Sequence, residues 1–353
     1  MKFPSRQTNR PRLMISTSSY SGQERHMKPG KSLLLIFAAA ILIMAMAASC
    51  QARTVTAVRS PDKSGDNGNK LNIIATLFPH YDFTRQIVGD RANVALLLPP
   101  GVESHSYEPT PADIIAVNQA DLFIYTGAVM ENWADDILKG VSKEINVLSL
   151  ADRISPDATE YSDHHHDNGT GHDHDHDHDY DPHIWTNPKI AVKMVDEILS
   201  EVCKLDPDNS EYYTENANLY KEKLEELDNE FRDIVANGKR REIFMGDRFA
   251  LIYFTEEYGI EYHAAYDSCS DEAEPSAAVI VDMIDQIRSK QIPVVYYAEQ
   301  SDMKVARLLS EETGAEMLLL HSCHNVSKED FENGATYLSI MSQNAENLRK
   351  GLN

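Results

Sequence analysis

Short apolar runs alternate with segments of helical periodicity along most of this 353-residue chain, in two separate blocks. In the first block the predicted strands are 71–77, 93–98, 121–126 and 145–149, and the predicted helices between them are 80–89, 111–118 and 132–139. In the second block the predicted strands are 242–245, 260–263, 293–298 and 316–320, with predicted helices near 250–258, 275–289, 301–313 and 329–350. This alternation predicts parallel sheets with crossover helices, so the expected fold class is α/β with two parallel-sheet lobes.

Between the blocks, a single apolar stripe runs along a predicted helix over 208–238. Its members are spaced alternately four and three residues apart: Tyr213, Ala217, Tyr220, Leu224, Leu227, Phe231 and Ile234. A coiled-coil dimer seam has the same spacing, but the position between two α/β blocks favours one long rigid helix that packs on both lobes. The expected domains are an amino-terminal lobe over 71–207, this linker helix and a carboxy-terminal lobe over 239–353.

The first 49 residues predict an export signal. The sixteen residues from Leu33 to Ala48 are uncharged, follow two nearby lysines and end in small side chains, as secretory signals do. The run is shorter than the roughly 20 residues of a bilayer-spanning helix. Cys50 ends a sequence similar to a bacterial lipobox, although Ala47 stands where Leu is usual. We therefore expect lipidation of Cys50, with plain secretion or an uncleaved anchor as alternatives.

Residues 50–70 are polar, rich in Ser, Gly, Asp and Lys, and without apolar periodicity, which predicts a flexible tether. The whole chain has a formal net charge of −23. Because residues 1–49 hold seven basic side chains and one acidic one, the rest of the chain carries −29. This acidic balance argues against a nucleic-acid partner, since a phosphate backbone is bound by Lys and Arg.

Histidines are concentrated in one segment, with seven of the fourteen between His164 and His178. The segment 162–181 interleaves them with Asp and contains almost nothing apolar, so it cannot bury a core and is expected to be a mobile loop. Histidine-rich tracts commonly bind metal. An affinity tag is the alternative, but the internal position and the interleaved Asp favour a loop that collects metal ions at many weak sites.

Further candidate metal ligands follow predicted strands, at the strand ends where parallel α/β sheets bind their ligands. They are His105, His183, Asp247, His321 and His324. Imidazole nitrogens and carboxylate oxygens that converge from separate elements suit a first-row divalent cation. Asp247 could equally form a salt bridge with Arg248. Glu299 is more easily explained as a solvated carboxylate, and His80 and His263 as structural residues.

The chain resembles the metal-binding lipoproteins of bacterial ABC importers for zinc and manganese, the cluster A-I solute-binding proteins, over about 71–350. The resemblance is most specific in PPGVESHSYEPTPADI, in DPHIWTNP and in the turn Glu274-Pro275-Ser276. The histidine-rich insertion is similar to that of the zinc-specific members. The family implies two α/β lobes joined by a long helix, with one metal ion held between them.

Carried over by position, the resemblance assigns His105 and His183 as the two ligands of the amino-terminal lobe. In the column of the third ligand this chain has Arg248, which stays protonated and cannot bind a cation, so the neighbouring Asp247 is a possible substitute. The fourth ligand column falls on His324. The expected set is therefore these two histidines and His324, completed by Asp247 or His321.

The function expected from these residues is extracytoplasmic capture of zinc and its delivery to an ABC transporter permease, by a binding protein and not an enzyme. Three imidazoles favour zinc over manganese, which prefers carboxylates, and manganese remains the alternative metal. A zinc hydrolase is disfavoured because no HExxH or comparable motif is present. A surface adhesin or a metal-storage lipoprotein is the third alternative. For the cysteines, the preferred disulfide is Cys269–Cys323.

Overall fold

The computed structural model describes residues 70–154, 181–266 and 275–353, all of which belong to one compact unit, Thr56–Asn353. The predicted export signal, Cys50, nearly all of the predicted tether and nearly all of the histidine-rich loop lie outside the described residues. Within the described residues, every helix is too short or too polar to cross a membrane.

The amino-terminal lobe is a parallel four-stranded sheet of order β2-β1-β3-β4. Its strands are β1 (Asn72–Ala75), β2 (Asn93–Leu96), β3 (Leu122–Tyr125) and β4 (Asn146–Ser149). The crossover helices are α1 (Phe78–Val88), α2 (Pro111–Gln119) and α3 (Ala134–Gly140). Apolar residues on both faces of the central strands are buried, as expected for a parallel sheet covered on both sides.

A second sheet, also parallel, forms the carboxy-terminal lobe with the order β6-β5-β7-β8. Its strands are β5 (Glu242–Met245), β6 (Glu261–Ala264), β7 (Val294–Tyr297) and β8 (Glu316–Leu319). The helices that follow the linker are α6 (Ile252–Tyr258), α7 (Ala277–Lys290), α8 (Lys304–Thr313), α9 (Lys328–Glu332) and α10 (Tyr337–Leu352). The two sheets confirm the predicted α/β fold class with two parallel-sheet lobes.

The two lobes are joined through helix α5 (Ser210–Asn237), the predicted linker, which follows helix α4 (Pro188–Leu205). All seven apolar residues of the predicted stripe are buried. In the first half of α5, Tyr220 packs on Phe83 of the amino-terminal lobe, with ring centroids 6.0 Å apart. Near its end, Phe231 packs on Phe254 of the carboxy-terminal lobe at 4.8 Å. The stripe is therefore buried within this chain, in agreement with a connector rather than a dimer seam.

Two helical features differ from the sequence-based expectations. Helix α4 was not predicted, although Asn187 caps it by accepting a hydrogen bond from the Lys189 amide and Pro188 starts it. The single helix expected over 329–350 is instead two helices, α9 and α10. The break falls at Gly334, whose φ is +78°, a left-handed conformation that ends a helix at little cost only for glycine.

The predicted Cys269–Cys323 disulfide is contradicted at Cys323, the cysteine of the pair that lies within the described residues. Cys323 is a free and fully buried thiol, whereas Cys269 lies outside the described residues. Burial raises the pKa of the Cys323 thiol well above its ordinary value. The thiol therefore stays protonated at neutral pH and behaves as a small core residue.

Candidate metal site

Polar side chains lie beyond the carboxyl ends of strands in both sheets, on the side where open parallel sheets bind their ligands. In the amino-terminal lobe the loops after β2 and β4 carry His105 and His183. In the carboxy-terminal lobe the loop after β5 carries Asp247, and the loop after β8 carries His321 and His324. Gly246 lets helix α8 approach this edge, because a Cβ there would lie 2.4 Å from the backbone of Ala306.

His183 is almost completely buried, with 1% of its surface exposed. Its Nδ1 lies 3.0 Å from Oδ1 of Asp181, and its backbone N–H donates to the same carboxylate oxygen at 2.9 Å. Burial disfavours the Asp181 anion, but the contacts with His183 outweigh burial and lower the pKa of Asp181. An ionised Asp181 holds the proton of His183 on Nδ1, which leaves the lone pair of Nε2 for a metal ion.

His105 lies beside His183, with ring centroids 5.6 Å apart. Burial, reinforced by the neighbouring His183, lowers the pKa of His105 to about 4. The imidazole is therefore neutral at pH 7, as a metal ligand must be. The His105 backbone N–H donates to Oε1 of Glu103 at 3.2 Å. An acidic residue thus lies two positions before each of these two histidines and accepts a hydrogen bond from the backbone N–H of that histidine.

His324 faces the same pair from the carboxy-terminal lobe, and its ring centroid lies 6.5 Å from that of His183. Its Nδ1 lies 2.7 Å from Oγ of Ser322 and 3.0 Å from Oε1 of Glu299. Its Nε2 points toward the amino-terminal lobe, 4.0 Å from Oε2 of Glu103. The three histidines predicted from the sequence therefore come together between the lobes, with the carboxylate of Glu103 beside them.

Glu299 is the anchor of the His324 loop and not the solvated carboxylate that its sequence position suggests. Its side chain is 6% exposed and accepts hydrogen bonds from the backbone N–H and the hydroxyl of Ser322 at 2.9 and 2.5 Å. Burial disfavours the anion, but contacts with His321 and His324 outweigh burial and hold the pKa of Glu299 well below its ordinary range. A buried carboxylate behind a histidine fixes the tautomer and orientation that metal binding requires.

His321 and Asp247 are placed less favourably for binding a metal ion than the other three predicted ligands. The Nδ1 of His321 accepts the Cys323 backbone N–H at 2.9 Å, so the proton of the neutral ring is on Nε2 and no lone pair remains. Asp247 lines a cavity of about 300 Å³ together with Glu103, Arg248 and His324. Its carboxylate accepts the backbone N–H of Arg248 at 2.9 Å, and burial raises its pKa.

Contacts between the lobes hold the ligand-bearing loops in register. The side-chain amide of Asn325 donates to the carbonyl oxygens of Pro99 and Val102, at 2.9 and 2.8 Å, and so ties the His324 loop to the His105 loop. The indole N–H of Trp185 donates to the Ser322 carbonyl at 2.7 Å, which ties in the His183 segment. These hydrogen bonds fix the relative positions of the three loops that carry the histidines.

Beneath Trp185 lies a buried polar network centred on Glu131. Its carboxylate accepts the hydroxyl of Thr76 at 2.6 Å and the backbone N–H of Thr126 at 3.1 Å. His80 contacts the same two threonine hydroxyls, each at 3.3 Å, and burial lowers the pKa of His80 to about 3. His80 is thus a neutral residue of the core, consistent with the structural role expected for it.

Replacing Glu131 with glutamine should flatten the pH dependence of stability. Burial, only partly offset by hydrogen bonds from Thr76 and Thr126, raises the pKa of Glu131 to about 7. An unfolded chain titrates this group near 4.3. The folded state therefore holds a proton that the unfolded state has lost. The stability of the wild type should fall as the pH rises from about 4.3 to about 7, by up to about 4 kcal/mol.

The measurement is urea denaturation of both proteins at several pH values between 4 and 8. The free-energy difference between E131Q and the wild type should grow in favour of E131Q across that interval. The substitution of Glu144, an exposed glutamate of the same lobe, by glutamine serves as the matched control and should give no such trend. A parallel pH dependence of E131Q and the wild type would contradict this assignment of Glu131.

Two parallel α/β lobes joined by a long helix, with histidines from both lobes meeting between them, define the class of two-lobed binding proteins. Residues 73–351 match the family model described as zinc-uptake complex component A, periplasmic. The chain belongs to this family.

Individual relatives agree with that membership. The chain is similar to the high-affinity zinc uptake system protein ZnuA of Bacillus subtilis, with 36% identity over 319 residues that cover 90% of this chain and 97% of that protein. Its fold is similar to the crystal structure of the metal-dependent lipoprotein YcdH of Bacillus subtilis, with a TM-score of 0.66 and 33% identity over 80% of this chain and 99% of that one. The Zn(II)-bound ZnuA-like domain of Streptococcus pneumoniae AdcA gives a TM-score of 0.64 and 29% identity, over 80% of this chain and 99% of that domain.

Proposed function

We propose that this protein captures zinc outside the cytoplasm and delivers it to the membrane permease of an ABC importer. The observation that carries the proposal is the convergence of His105, His183 and His324, from two lobes, in a site lined with carboxylates. Zinc forms tetrahedral sites with mixed nitrogen and oxygen ligands. Three imidazoles favour zinc over manganese, which prefers an oxygen-rich set.

Glu103 is our proposal for the fourth ligand, in place of Asp247 or His321. Tetrahedral zinc with bonds of about 2.0–2.2 Å holds its ligand atoms about 3.3–3.6 Å apart, and the 4.0 Å between Glu103 Oε2 and His324 Nε2 is close to that range. Contacts with His324 and the His105 backbone outweigh burial and lower the pKa of Glu103, which favours the anionic form that binds a cation. By contrast, the hydrogen bond from the Cys323 N–H withholds the His321 lone pair from a metal.

The site is prepared for a dication before the ion arrives. Asp181 and Glu299 orient His183 and His324 through Nδ1, so that each ring offers Nε2 without a proton to lose. Their negative charges also offset part of the charge of the ion. For three imidazoles bound to one zinc through Nε2, the ring centroids lie about 5 Å apart. The observed separations of 5.6 and 6.5 Å therefore require a closing movement of only about 1 Å, which loops can supply while the linker helix stays rigid.

Attachment to the membrane is proposed to occur through a lipid on Cys50, at the end of a tether over 50–70. About 20 flexible residues reach on the order of 25 Å, which lets the lobes work above the membrane surface beside the permease. The histidine-rich loop over 162–181 is proposed to collect zinc weakly and to raise its local concentration near the site.

Deleting residues 162–179 should leave the tight zinc site intact and remove the weak sites of that segment, because the proposed ligands of the tight site all lie outside it. Isothermal titration of the full chain and of the deletion variant with zinc at pH 7 measures this difference. Both proteins should bind one equivalent more tightly than micromolar, and only the full chain should take up the additional weakly bound equivalents that the histidines of 162–179 provide. Loss of the tight event on deletion would indicate a storage protein, and absence of any event tighter than micromolar would exclude the transport function.

A further inference from the structure

Three potential metal ligands lie on one face of the strand pair formed by β5 and the edge strand β6, away from the site between the lobes. In the β5–β6 ladder Glu242 pairs directly with Glu261, and Phe244 pairs with His263. Since side chains alternate along a strand, Glu261 and His263 share a face, and Glu242 joins them from the neighbouring strand. Two carboxylates directly opposite each other repel, so this arrangement favours a cation between them.

The three side chains converge at one nitrogen. Nε2 of His263 lies 3.4 Å from Oε2 of Glu242 and 3.5 Å from Oε1 of Glu261, and one ligand atom from each of the three residues falls within 4.8 Å of the other two. This nitrogen is buried and has no hydrogen-bond partner among the described residues. Both oxygens are therefore close to Nε2 but off the direction of an N–H bond.

The positions of these two oxygens relative to Nε2 match the geometry of a metal site. With bonds of about 2.0–2.2 Å, a tetrahedral zinc ion holds its ligand atoms about 3.3–3.6 Å apart, each about 35° off the bond direction of its neighbour. The two distances at His263 fall in this range. The ring is also held in place, because it stacks on Phe244 with centroids 4.4 Å apart and an interplanar angle of 22°.

One cation already lies at this cluster. The ammonium group of Lys290 is 2.5 Å from Oε2 of Glu242, and its side chain is 38% exposed, so it can move into solvent. Glu261 is 69% exposed, which leaves the cluster open to ions and to water as a fourth ligand. Lys290 therefore acts as a competitor that keeps any metal binding here weaker than binding between the lobes.

We propose that Glu242, Glu261 and His263 form a second site for a first-row divalent cation such as zinc, on the exposed edge of the carboxy-terminal sheet. The site is separate from the one between the lobes. Glu242 begins strand β5, whereas Asp247 follows its carboxyl end, five residues or about 17 Å further along an extended chain. The mixed nitrogen and oxygen ligands match zinc chemistry, and the open geometry predicts affinity in the micromolar range, with exchange against bulk ions.

The test is isothermal titration with zinc of the variant that lacks 162–179, preloaded with one equivalent of zinc. The parent should show a second binding event. Its affinity should be at least about tenfold lower in H263Q and in E261Q, which changes an exposed residue, because each variant loses one of the three protein ligands. K290Q should bind this second equivalent about three- to tenfold more tightly, because a competing positive charge is removed. E316Q, which changes a glutamate on the other edge strand, is the matched control and should match its parent.

A separate titration of the metal-free proteins with the first equivalent reports the site between the lobes, so failure of that site and failure of the second site are distinguishable. H263Q and E261Q should retain that first event, which also shows that they are folded. Absence of a second event, or a second event that is equally strong in the parent, H263Q and E261Q, would overturn the proposal.

Discussion

Replacing His183 with alanine should lower the affinity for zinc by about 10²–10³-fold. The free energy of zinc binding to a four-ligand protein site is about 10–16 kcal/mol. One ligand therefore contributes roughly a quarter of it, about 3–4 kcal/mol. His183 should show the full effect, because it is buried, oriented by Asp181 and placed between His105 and His324. Competition with a chromophoric zinc chelator at pH 7 measures the change.

His80 provides the matched control for this prediction. Its ring also packs edge-on against Trp185, with centroids 6.0 Å apart, compared with 5.5 Å for His183. Both histidines are buried, but His80 contacts only threonines of the core through its ring nitrogens. H80Q should therefore keep its zinc affinity within about threefold of the wild type even where its stability falls. A similar loss of affinity in H80Q and H183A would mean that packing around Trp185, and not coordination, explains the effect.

Replacing Glu299 with alanine should destabilise the protein by about 3–5 kcal/mol and also weaken zinc binding. The carboxylate accepts two hydrogen bonds from Ser322 and contacts His321 and His324. Removing it leaves the Ser322 N–H, the Ser322 hydroxyl and His324 Nδ1 without this acceptor. Such a loss costs about this much for a buried, hydrogen-bonded charge. Urea denaturation of the metal-free protein measures the loss of stability.

The conservative variant E299Q separates positioning from folding. Glutamine keeps an oxygen for Ser322 but loses the negative charge beside His324. We expect its stability to recover in part while its zinc affinity stays about tenfold or more below the wild type, in the range known for residues that orient metal-bound histidines. Wild-type affinity in E299Q would show that the charge of Glu299 plays no part in metal binding.

The fold could be predicted well because its signals are local. Each strand of both sheets is a short apolar run, and each lies within about two residues of the predicted range. The linker helix was equally clear from its stripe of seven buried residues. Helix α4 was missed although its signals are present: Asn187 and Pro188 start it, and its buried residues, Ile190, Ala191, Met194, Val195, Ile198 and Val202, recur with helical periodicity. The prediction of one helix over 329–350 differs from the structure because Gly334 is a stop signal inside that range.

The site was only partly accessible from the sequence. Strand ends and the family resemblance point to His105, His183 and His324, and the structure brings these three together. The acidic residues that support them are harder to identify, because their role depends on which loops meet in space. Glu103 and Asp181 had a local signal, an acid two residues before each histidine. For Glu299 there was none, since its burial results from the His321–His324 loop folding over it.

The central claim is that one zinc ion binds between the lobes at these three histidines. Crystals of the protein grown with a single equivalent of zinc, measured on both sides of the zinc absorption edge, test it directly. The account predicts one dominant anomalous peak, about 2.0–2.2 Å from a ring nitrogen of each of His105, His183 and His324. A dominant peak elsewhere, whether in the histidine-rich loop or at His263, would contradict it.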